Sequence, residues 1–417
     1  MLKDWGKDIK LGMLVKLSQG QVINAQTNFL VVSEGLPLLR ITDMINNKRT
    51  VFIDKDRVPK KNIALSEDII YTRTGQVGLV FKNQFGVIHN NCFKVIPVDK
   101  SLDRNYLYWY LRSNSVYNYV NGIASGSAQP DLPHASFYSI NIKLPPLQEQ
   151  QRIASILSTY DDLLENNYKR IAILEKAAEQ IYKEWFVRMR FPGYEIAEFE
   201  KGVPKGWLKE LGNYIKVIKG KSYTGEEIND IGVGKPFVNL KSFNRGGGYR
   251  YDGIKYYTGK YHEKQVVREG DIVMAVTDMT QDRAVVGRVA RIPKTEFQEM
   301  IISLDSAKIV PDKKLPNAFF YATLRFGFFG NTIKEFANGS NVLHLKPDLA
   351  YQMKSIIPDD EALIKKFDKL IEPYFNLVDN LNLENQNLKK TRDLLLPRLI
   401  SGKLRVKDIP DPQKQSV

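Results

Sequence analysis

The chain has 417 residues, 43% hydrophobic and 26% charged, a mixture typical of two or three globular domains rather than of a disordered chain. The single cysteine, Cys92, excludes a disulfide framework and a multi-cysteine zinc site. Lys and Arg number 61 against 47 acidic residues, and this net charge of +14 indicates a polyanionic partner such as nucleic acid. No long apolar stretch or signal-peptide pattern occurs, so we expect a cytoplasmic protein with no membrane partner.

The first 146 residues contain short runs rich in Val, Ile, Tyr and Phe, separated by Gly, Asn and Asp. Runs of this kind, such as 69–71, predict strands and turns, while residues 106–120 predict a helix. Residues 1–146 are therefore predicted to form a mixed α/β domain. The domain ends at Pro145-Pro146, because proline ends an extended segment and suits the first turn of a helix.

Apolar residues then recur at alternating steps of four and three through residues 147–190. This spacing predicts one long helix with a coiled-coil seam. The predicted seam consists of Ile153, Leu157, Tyr160, Leu164, Asn167, Ile171, Leu174, Ala178, Ile181 and Trp185.

Residues 191–358 again predict strands, at 272–276 and 285–289, and a helix at 319–336, so they form a second mixed α/β domain. A second long helix is predicted at 359–405, followed by a tail at 406–417. Its seam repeats the first at an offset of 214: Phe367, Ile371, Tyr374, Val378, Leu381, Asn385, Leu388, Arg392, Leu395 and Leu399.

Two polar or helix-breaking features interrupt the second seam. Asn385, like Asn167 in the first helix, either fixes the pairing register as a buried Asn or is exposed where the seam opens. Pro373 should either kink the helix or mark its true start.

The order of domain, helix, domain, helix is an internal repeat. Near the start of each half, four residues match at an offset of 200: Leu11, Gly12, Lys16 and Gly20 against Leu211, Gly212, Lys216 and Gly220. The predicted fold class is α+β, with two globular mixed α/β domains separated by an antiparallel coiled coil of the two long helices. The whole chain then has an internal pseudo-two-fold repeat.

The positive charge lies in the globular domains. Residues 147–190 hold seven acidic and seven basic side chains, and residues 359–405 hold eight and nine, so the helices contribute about +1 of the +14. A protein that was basic only for solubility has no reason to leave its long helices neutral. The two domains are therefore predicted to bind double-stranded DNA.

Basic residues cluster at matched places in the two domains. In the first domain they are Arg40, Lys48, Arg49, Lys55, Arg57, Lys60 and Lys61. In the second domain the candidate DNA contacts are Lys241, Arg245, Tyr249, Arg250, Lys255, Tyr256 and Lys260, with the glycine run 246–248 among them. Such side chains neutralise phosphates or bind guanine, and glycine lets a backbone approach a duplex. Solvated surface loops are the alternative interpretation.

Two turns after predicted strands offer a second set of candidate DNA contacts. The first turn supplies Arg73, Thr74 and Gln76, and the matched turn supplies Gln281 and Arg283. Arginine, glutamine and hydroxyl groups are the types that contact base edges and phosphates. An ordinary polar hairpin turn explains the same residues.

Sequence motifs for catalysis are missing. There is no phosphate-binding G-x-x-x-x-G-K-[ST], no G-x-G-x-x-G after a strand, and no asparagine-proline-proline-aromatic motif of an amino-group DNA methyltransferase. His89, His134, His262 and His344 are scattered without metal-ligand spacing. We expect no catalytic residues and no bound metal on this chain.

The junction LPPLQEQ at 144–150, the ending LLLPRLISGKL at 394–404 and the repeat resemble the specificity subunit of type I restriction-modification systems. The resemblance covers nearly the whole chain. The second junction, 357–361, keeps the proline and an acidic residue but lacks the Gln-Glu-Gln.

The resemblance implies two target recognition domains, each reading one half of a bipartite, asymmetric DNA site. It implies helices that set the gap between the half-sites and dock two methyltransferase (modification) subunits. It places S-adenosylmethionine on those subunits, ATP and magnesium on the restriction subunits, and no cofactor on this chain. Charge reversal at Lys169, Arg170 or Glu175 should then weaken assembly and leave the fold intact. The alternative is a stand-alone, non-enzymatic DNA-binding or tethering protein, which would bind its site tightly without a methylase.

Overall fold

A computed structural model describes residues 6–126 and 129–406, so the predicted tail lies almost entirely outside the described residues. The described chain divides into two compact units. Unit 1 holds the residues up to Leu164 together with 388–406, and unit 2 holds 165–387. Each unit is built from one globular domain and from segments of both long helices.

Unit 1 contains three sheets, whose strand orders are β1-β11, β2-β10-β7-β8 and β3-β5-β4-β9-β6. The strands are β1 Lys7–Lys10, β2 Val15–Gln19, β3 Val31–Val32, β4 Leu36–Leu39, β5 Phe52–Ile53, β6 Ile63–Ala64, β7 Ile69–Thr72, β8 Val80–Phe81, β9 Gly86–Ile88, β10 Cys92–Pro97 and β11 Asn141–Leu144.

Unit 2 contains sheets of order β14-β26, β15-β24-β20-β22 and β16-β18-β17-β23-β19, and the two-stranded ladders β12-β13 and β21-β25. The strands are β12 Phe199–Glu200, β13 Val203–Pro204, β14 Leu208–Glu210, β15 Ile215–Lys219, β16 Ile228–Asn229, β17 Lys235–Val238, β18 Lys255–Tyr257, β19 Val266–Val267, β20 Ile272–Ala275, β21 Thr277–Asp278, β22 Val289–Arg291, β23 Met300–Ile302, β24 Ser306–Pro311, β25 Leu343–His344 and β26 Lys354–Ile356.

Three sheets of unit 1 correspond to three sheets of unit 2. The four-stranded sheets match strand by strand, and so do the five-stranded sheets and the pairs β1-β11 and β14-β26. Each five-stranded sheet has one parallel pair at the same place, β4 with β9 and β17 with β23. The predicted internal repeat and the α+β class are therefore confirmed.

Eight α-helices complete the described chain: α1 Ile41–Ile45, α2 Arg104–Leu111, α3 Asn114–Ile123, α4 His134–Tyr138, α5 Leu147–Phe186, α6 Asn317–Phe326, α7 Phe329–Ile333 and α8 Glu361–Ile400. None of them is both long enough and apolar enough to cross a bilayer.

The two shorter helices predicted from sequence are each broken in two. At 106–120 the break falls at Ser113, whose side chain caps the second helix by accepting a hydrogen bond from the N–H of Val116. At 319–336 the break falls at Gly327. Cap-forming serine and flexible glycine end helices that an apolar pattern alone would continue.

The long helices α5 and α8 each contain 40 residues, which corresponds to about 60 Å at 1.5 Å per residue. Helix α8 begins at Glu361 and continues through Pro373, so the proline does not mark its start. The helix ends before Gly402, which has φ +72° and donates its N–H to the carbonyl of Leu399. Glycine suits this left-handed position because it has no Cβ.

The two helices pair antiparallel within unit 2. Asn167 contacts Asn385, while Phe186, further along α5, packs its ring 4.8 Å from that of Phe367, which comes earlier in α8. All predicted seam residues are buried or half-buried. Towards the end of α5 the buried residues are Tyr182 and Phe186, because this part of the helix packs into the aromatic core of unit 2.

Unit 1 has a corresponding core between its four-stranded sheet and helices α2 to α5. Tyr71, Phe93 and Phe137 pack ring against ring at its centre. Ile153 of α5 and Leu399 of α8 belong to the same apolar cluster. The first and last parts of the chain therefore share one core.

Candidate DNA-recognition surfaces

Gln150, the last residue of the LPPLQEQ junction, attaches α5 to the globular part of unit 1. Its side chain is fully buried, accepts the N–H of Asp103 at 2.8 Å, and donates to the carbonyls of Ser101 at 2.7 Å and Pro145 at 2.8 Å. All polar atoms of the buried amide are thus used. The position 214 residues later is occupied by buried, apolar Ile364, so the second junction has no corresponding glutamine bonds.

A pair of arginines at matched positions attaches each domain to α5 by an ion pair. Arg112 follows α2 and bonds Asp161 at 2.7 Å, while Arg325 in α6 bonds Glu175 at 2.8 Å. The Arg325 side chain is only 14% exposed. Glu175 is therefore a partner of a buried arginine, and its charge reversal should not leave the fold intact as the sequence suggested. Lys169 and Arg170 are exposed, in agreement with a surface role.

Arg73, a predicted base contact, lies in a hydrogen-bonded cluster where β7 ends. Its Nε and Nη2 donate to the two carboxylate oxygens of Asp131 at 3.2 and 2.7 Å, and its Nη1 donates to Gln19 Oε1 at 3.3 Å. Thr74 donates to Asp131 at 2.5 Å, and His134 Nε2 lies 2.8 Å from Gln19 Oε1. The hydrogen bond from Arg73 is the main cause of the lowered pKa of Asp131. Three segments that are distant in sequence, around Gln19, Arg73 and Asp131, thus meet in one half-exposed polar cluster.

The turn Lys60–Asn62 is attached to the end of β2, the strand that also supplies Gln19 to this cluster. Ser18 donates to the carbonyl of Lys61 at 3.1 Å, and Asn62 donates to Gln21 at 2.9 Å, so the turn is held against the end of β2. Lys60 and Lys61 are exposed and make no ion pair with the described residues. Cations that are free in this way suit phosphate contact.

The other predicted contacts of unit 1 are exposed or bound by side chains outside this cluster. Lys48 is exposed, while Arg49 donates to Gln84 at 2.9 Å and Arg57 pairs with Asp54 at 3.2 Å. Gln76 is exposed in the same turn as Arg73.

In unit 2 the structure brings together three residues that the sequence placed in two separate sets. Arg245 forms an ion pair with Asp282, and Arg283 forms one with Glu335. Gln281 donates to the carbonyl of Ser340 at 2.9 Å. Asp278 stabilises the loop that carries Gln281 and Arg283, because its carboxylate accepts hydrogen bonds from the N–H groups of Val285 and Val286.

The remaining predicted contacts of unit 2 differ in exposure. Lys241 and Lys260 are exposed, Arg250 is bound by Asp252, and half-buried Lys255 lies 3.6 Å from Asp230. Tyr256 packs edge-on against Phe297. Tyr249 is only 7% exposed and packs against Tyr251 and Met300, so it is a core residue in this structure.

The glycine run 246–248 forms a tight turn with internal hydrogen bonds. All three glycines have positive φ, and their N–H groups donate to the carbonyls of Ala284, Asn244 and Val289. A Cβ on Gly248 would lie 3.0 Å from the Arg325 guanidinium. The run therefore lets the chain turn tightly over that buried arginine.

Among the described residues, no group of three or more His, Cys, Asp or Glu side chains is placed to hold a metal ion. Burial lowers the pKa of both His89 and His134. Cys92 is fully buried, which raises the pKa of its thiol to about 12.

Comparison with known proteins identifies the class to which this fold belongs. The family model for the type I restriction modification DNA specificity domain matches residues 3–176. The type I restriction enzyme MjaIX specificity subunit of Methanocaldococcus jannaschii is 31% identical over 353 residues, which are 82% of this chain and 78% of the relative. The HindI specificity subunit of Haemophilus influenzae is 23% identical over 485 residues, with 97% and 100% coverage.

A solved structure shares the fold. The S subunit of the type I restriction-modification system of M. genitalium superposes with a TM-score of 0.60 at 17% identity, covering 94% of this chain and 95% of that one. The class is thus that of DNA specificity proteins with a duplicated architecture. The chain belongs to the family of type I restriction enzyme specificity subunits.

Proposed function

We propose that this chain is the non-catalytic subunit that selects the DNA sequence for a type I restriction-modification complex. Each unit reads one half of a bipartite, asymmetric site. The observation that carries this proposal is the pair of sheets with identical strand order and different polar side chains at matched strand ends. Two readers with the same architecture and different chemistry are what an asymmetric bipartite site requires.

The long helices serve as the spacer in this proposal. A spacer of stiff helices fixes the number of unread base pairs between the half-sites, since two readers at a set distance and rotation tolerate only one gap length. The near-neutral charge of both helices supports this assignment, because a spacer does not need to attract phosphate.

The helices also carry a partly exposed apolar stripe in each unit, which we assign to the modification subunits. In unit 1 the stripe is half-buried Ile156 and exposed Leu163, and in unit 2 it is exposed Leu370 and Leu377. The two stripes have the same seven-residue spacing and are related by the repeat offset of 214. Two like surfaces suit two copies of one partner. S-adenosylmethionine would bind to those copies, and ATP and magnesium to the restriction subunits.

Modified-base sequencing of host DNA, with and without the gene for this chain, tests the proposal. We expect a bipartite adenine-methylated motif with a fixed gap that disappears on deletion and returns on complementation. The purified chain should bind that motif tightly only with its modification subunits. Tight, sequence-specific binding by the chain alone, with an unchanged methylome, would instead identify a stand-alone DNA-binding protein.

A further inference from the structure

Backbone hydrogen bonds show which residues correspond at the ends of β7 in unit 1 and β20 in unit 2. In unit 1 Thr74 pairs with Asp131 in an antiparallel bridge, and in unit 2 Thr277 pairs in the same way with His344. The carbonyl before each threonine accepts an N–H from a leucine, at 2.9 Å from Leu132 in unit 1 and at 2.8 Å from Leu345 in unit 2. Arg73 therefore corresponds to Val276.

The side chains at these matched positions differ in chemistry. Unit 1 has a half-buried arginine held by a carboxylate, whereas Val276 is buried and apolar. Unit 2 instead has Asp305, which accepts hydrogen bonds from Tyr223 at 2.9 Å and from Thr277 at 3.2 Å. The strand order and these backbone hydrogen bonds correspond in the two units, so the matched strand ends differ mainly in their side chains.

The guanidinium of Arg73 is fixed in position and still has N–H groups that can donate to a partner outside the protein. Three of its five N–H groups are used by Asp131 and Gln19, which leaves two without a partner among the described residues. Its side chain is 24% exposed. A guanidinium fixed in this way can bind guanine N7 and O6 without losing the conformational freedom that a mobile arginine loses on binding.

The surroundings of Arg73 supply the phosphate contacts that a base reader needs. The exposed Lys60 and Lys61 lie on the turn held against β2 by Ser18 and Gln21, and Gln19 of the same strand reaches Arg73. Lysines position a protein on the DNA backbone, and the neighbouring fork reads the base. A purely structural Arg73–Asp131 pair would not require exposed lysines at the end of the same strand.

On this geometry we propose that Arg73 reads a guanine in the half-site of unit 1, that Asp131 positions it, and that unit 2 reads a different base at the matched place. This inference rests on the proposed function. Asp131 acts only through Arg73, so it is a positioning residue and should affect the same base pair as Arg73 does.

The test is the methylated motif of the chain with its modification subunits, compared for wild type, Arg73→Lys and Asp131→Asn. Lysine keeps the positive charge of Arg73 but lacks the two parallel N–H donors with which a guanidinium binds guanine N7 and O6. We expect both variants to reduce the preference for one G·C pair in one half-site by about tenfold or more, and to leave the other half-site unchanged. Lys61→Ala is the matched control and should lower methylation at all sites without changing the motif.

The outcomes separate the inference from the function on which it rests. A wild-type complex without a bipartite motif overturns both. A wild-type bipartite motif that is unchanged by Arg73→Lys, or that loosens equally in both halves, overturns the reading role and leaves the proposed function intact. Thermal unfolding of each variant shows whether it folds. If Asp131→Asn does not fold, the partly exposed Arg73→Lys decides the result.

Discussion

Nδ2 of Asn167 donates a 3.0 Å hydrogen bond to Oδ1 of Asn385, and both side chains are buried between the segments of α5 and α8 that belong to unit 2. Of the two interpretations given above, a buried asparagine pair and exposed asparagines where the seam opens, the structure has the buried pair. Nδ2 of Asn385 has no hydrogen-bond partner among the described residues. The pair therefore gives specificity of register at a cost in stability.

Replacing the two asparagines separately and together should have opposite effects. Asn385→Leu leaves the amide of Asn167 buried without its partner, which should lower the free energy of unfolding by about 1–3 kcal/mol. The double change to leucine removes both polar groups and should raise the urea midpoint above that of wild type. A single variant as stable as the double variant would contradict this account.

Glu175→Lys should destabilise unit 2, because it leaves the buried charge of Arg325 beside another cation. The expected loss is about 2 kcal/mol, less than the roughly 3–5 kcal/mol of a fully buried pair, because Glu175 is 37% exposed. Lys169→Glu is the control, since Lys169 is 70% exposed and should change stability by about 0.5 kcal/mol or less. Equal urea midpoints for the two variants would show that the Arg325 pair adds nothing.

The exposed leucines should affect assembly without affecting the fold. Leu163→Asp and Leu377→Asp each alter one of the two related stripes, so each single variant should retain one of two modification subunits and the double variant neither. Mass measurement of the purified complexes gives the stoichiometry. If the double variant still bound two modification subunits, these leucines would not be part of the docking surface.

The salt dependence of DNA binding should show whether Lys60 and Lys61 contact phosphates. Each phosphate contact adds about one to the slope of log affinity against log salt concentration. Lys60→Ala with Lys61→Ala should therefore reduce that slope by about 2, as measured by fluorescence anisotropy with a duplex containing the methylated motif. Lys169→Ala, on a helix surface, is the control and should leave the slope unchanged.

Cys92 should be inert towards thiol reagents in the folded protein. The residue is fully buried, and burial raises the pKa of its thiol to about 12, so almost no thiolate forms at pH 8. A chromogenic disulfide reagent should label no thiol in the native chain and one per chain in guanidinium chloride. Rapid labelling of the native chain would mean that the four-stranded sheet opens readily at the start of β10.

The sequence was sufficient to predict the elements that repeat. Seven-residue periodicity located both long helices, because the pattern extends over 40 residues and averages out single exceptions such as Pro373. The duplicated order of domain and helix was equally visible. Single breaks inside shorter helices were missed at Ser113 and Gly327, where one cap or one glycine outweighs an apolar pattern.

The candidate recognition surfaces could be predicted only in part. Arg73 was chosen as a candidate from its turn, but its neighbours Asp131, Gln19 and His134 were not, because a cluster joined across more than a hundred residues leaves no local pattern. Tyr249 was chosen for its basic neighbours, and nothing in that stretch distinguishes a buried tyrosine from an exposed one. Glu175 was taken for a surface charge because its partner Arg325 is 150 residues away.

The shared core of unit 1 has a consequence for biosynthesis. Ile153 and Leu157 pack in the same cluster as Leu399 and Ile400, which leave the ribosome about 240 residues later. The domain at residues 1–146 therefore keeps part of its apolar surface exposed until the end of α8 has been translated. A nonsense mutation within α8 would then damage the N-terminal domain, although its own codons are untouched.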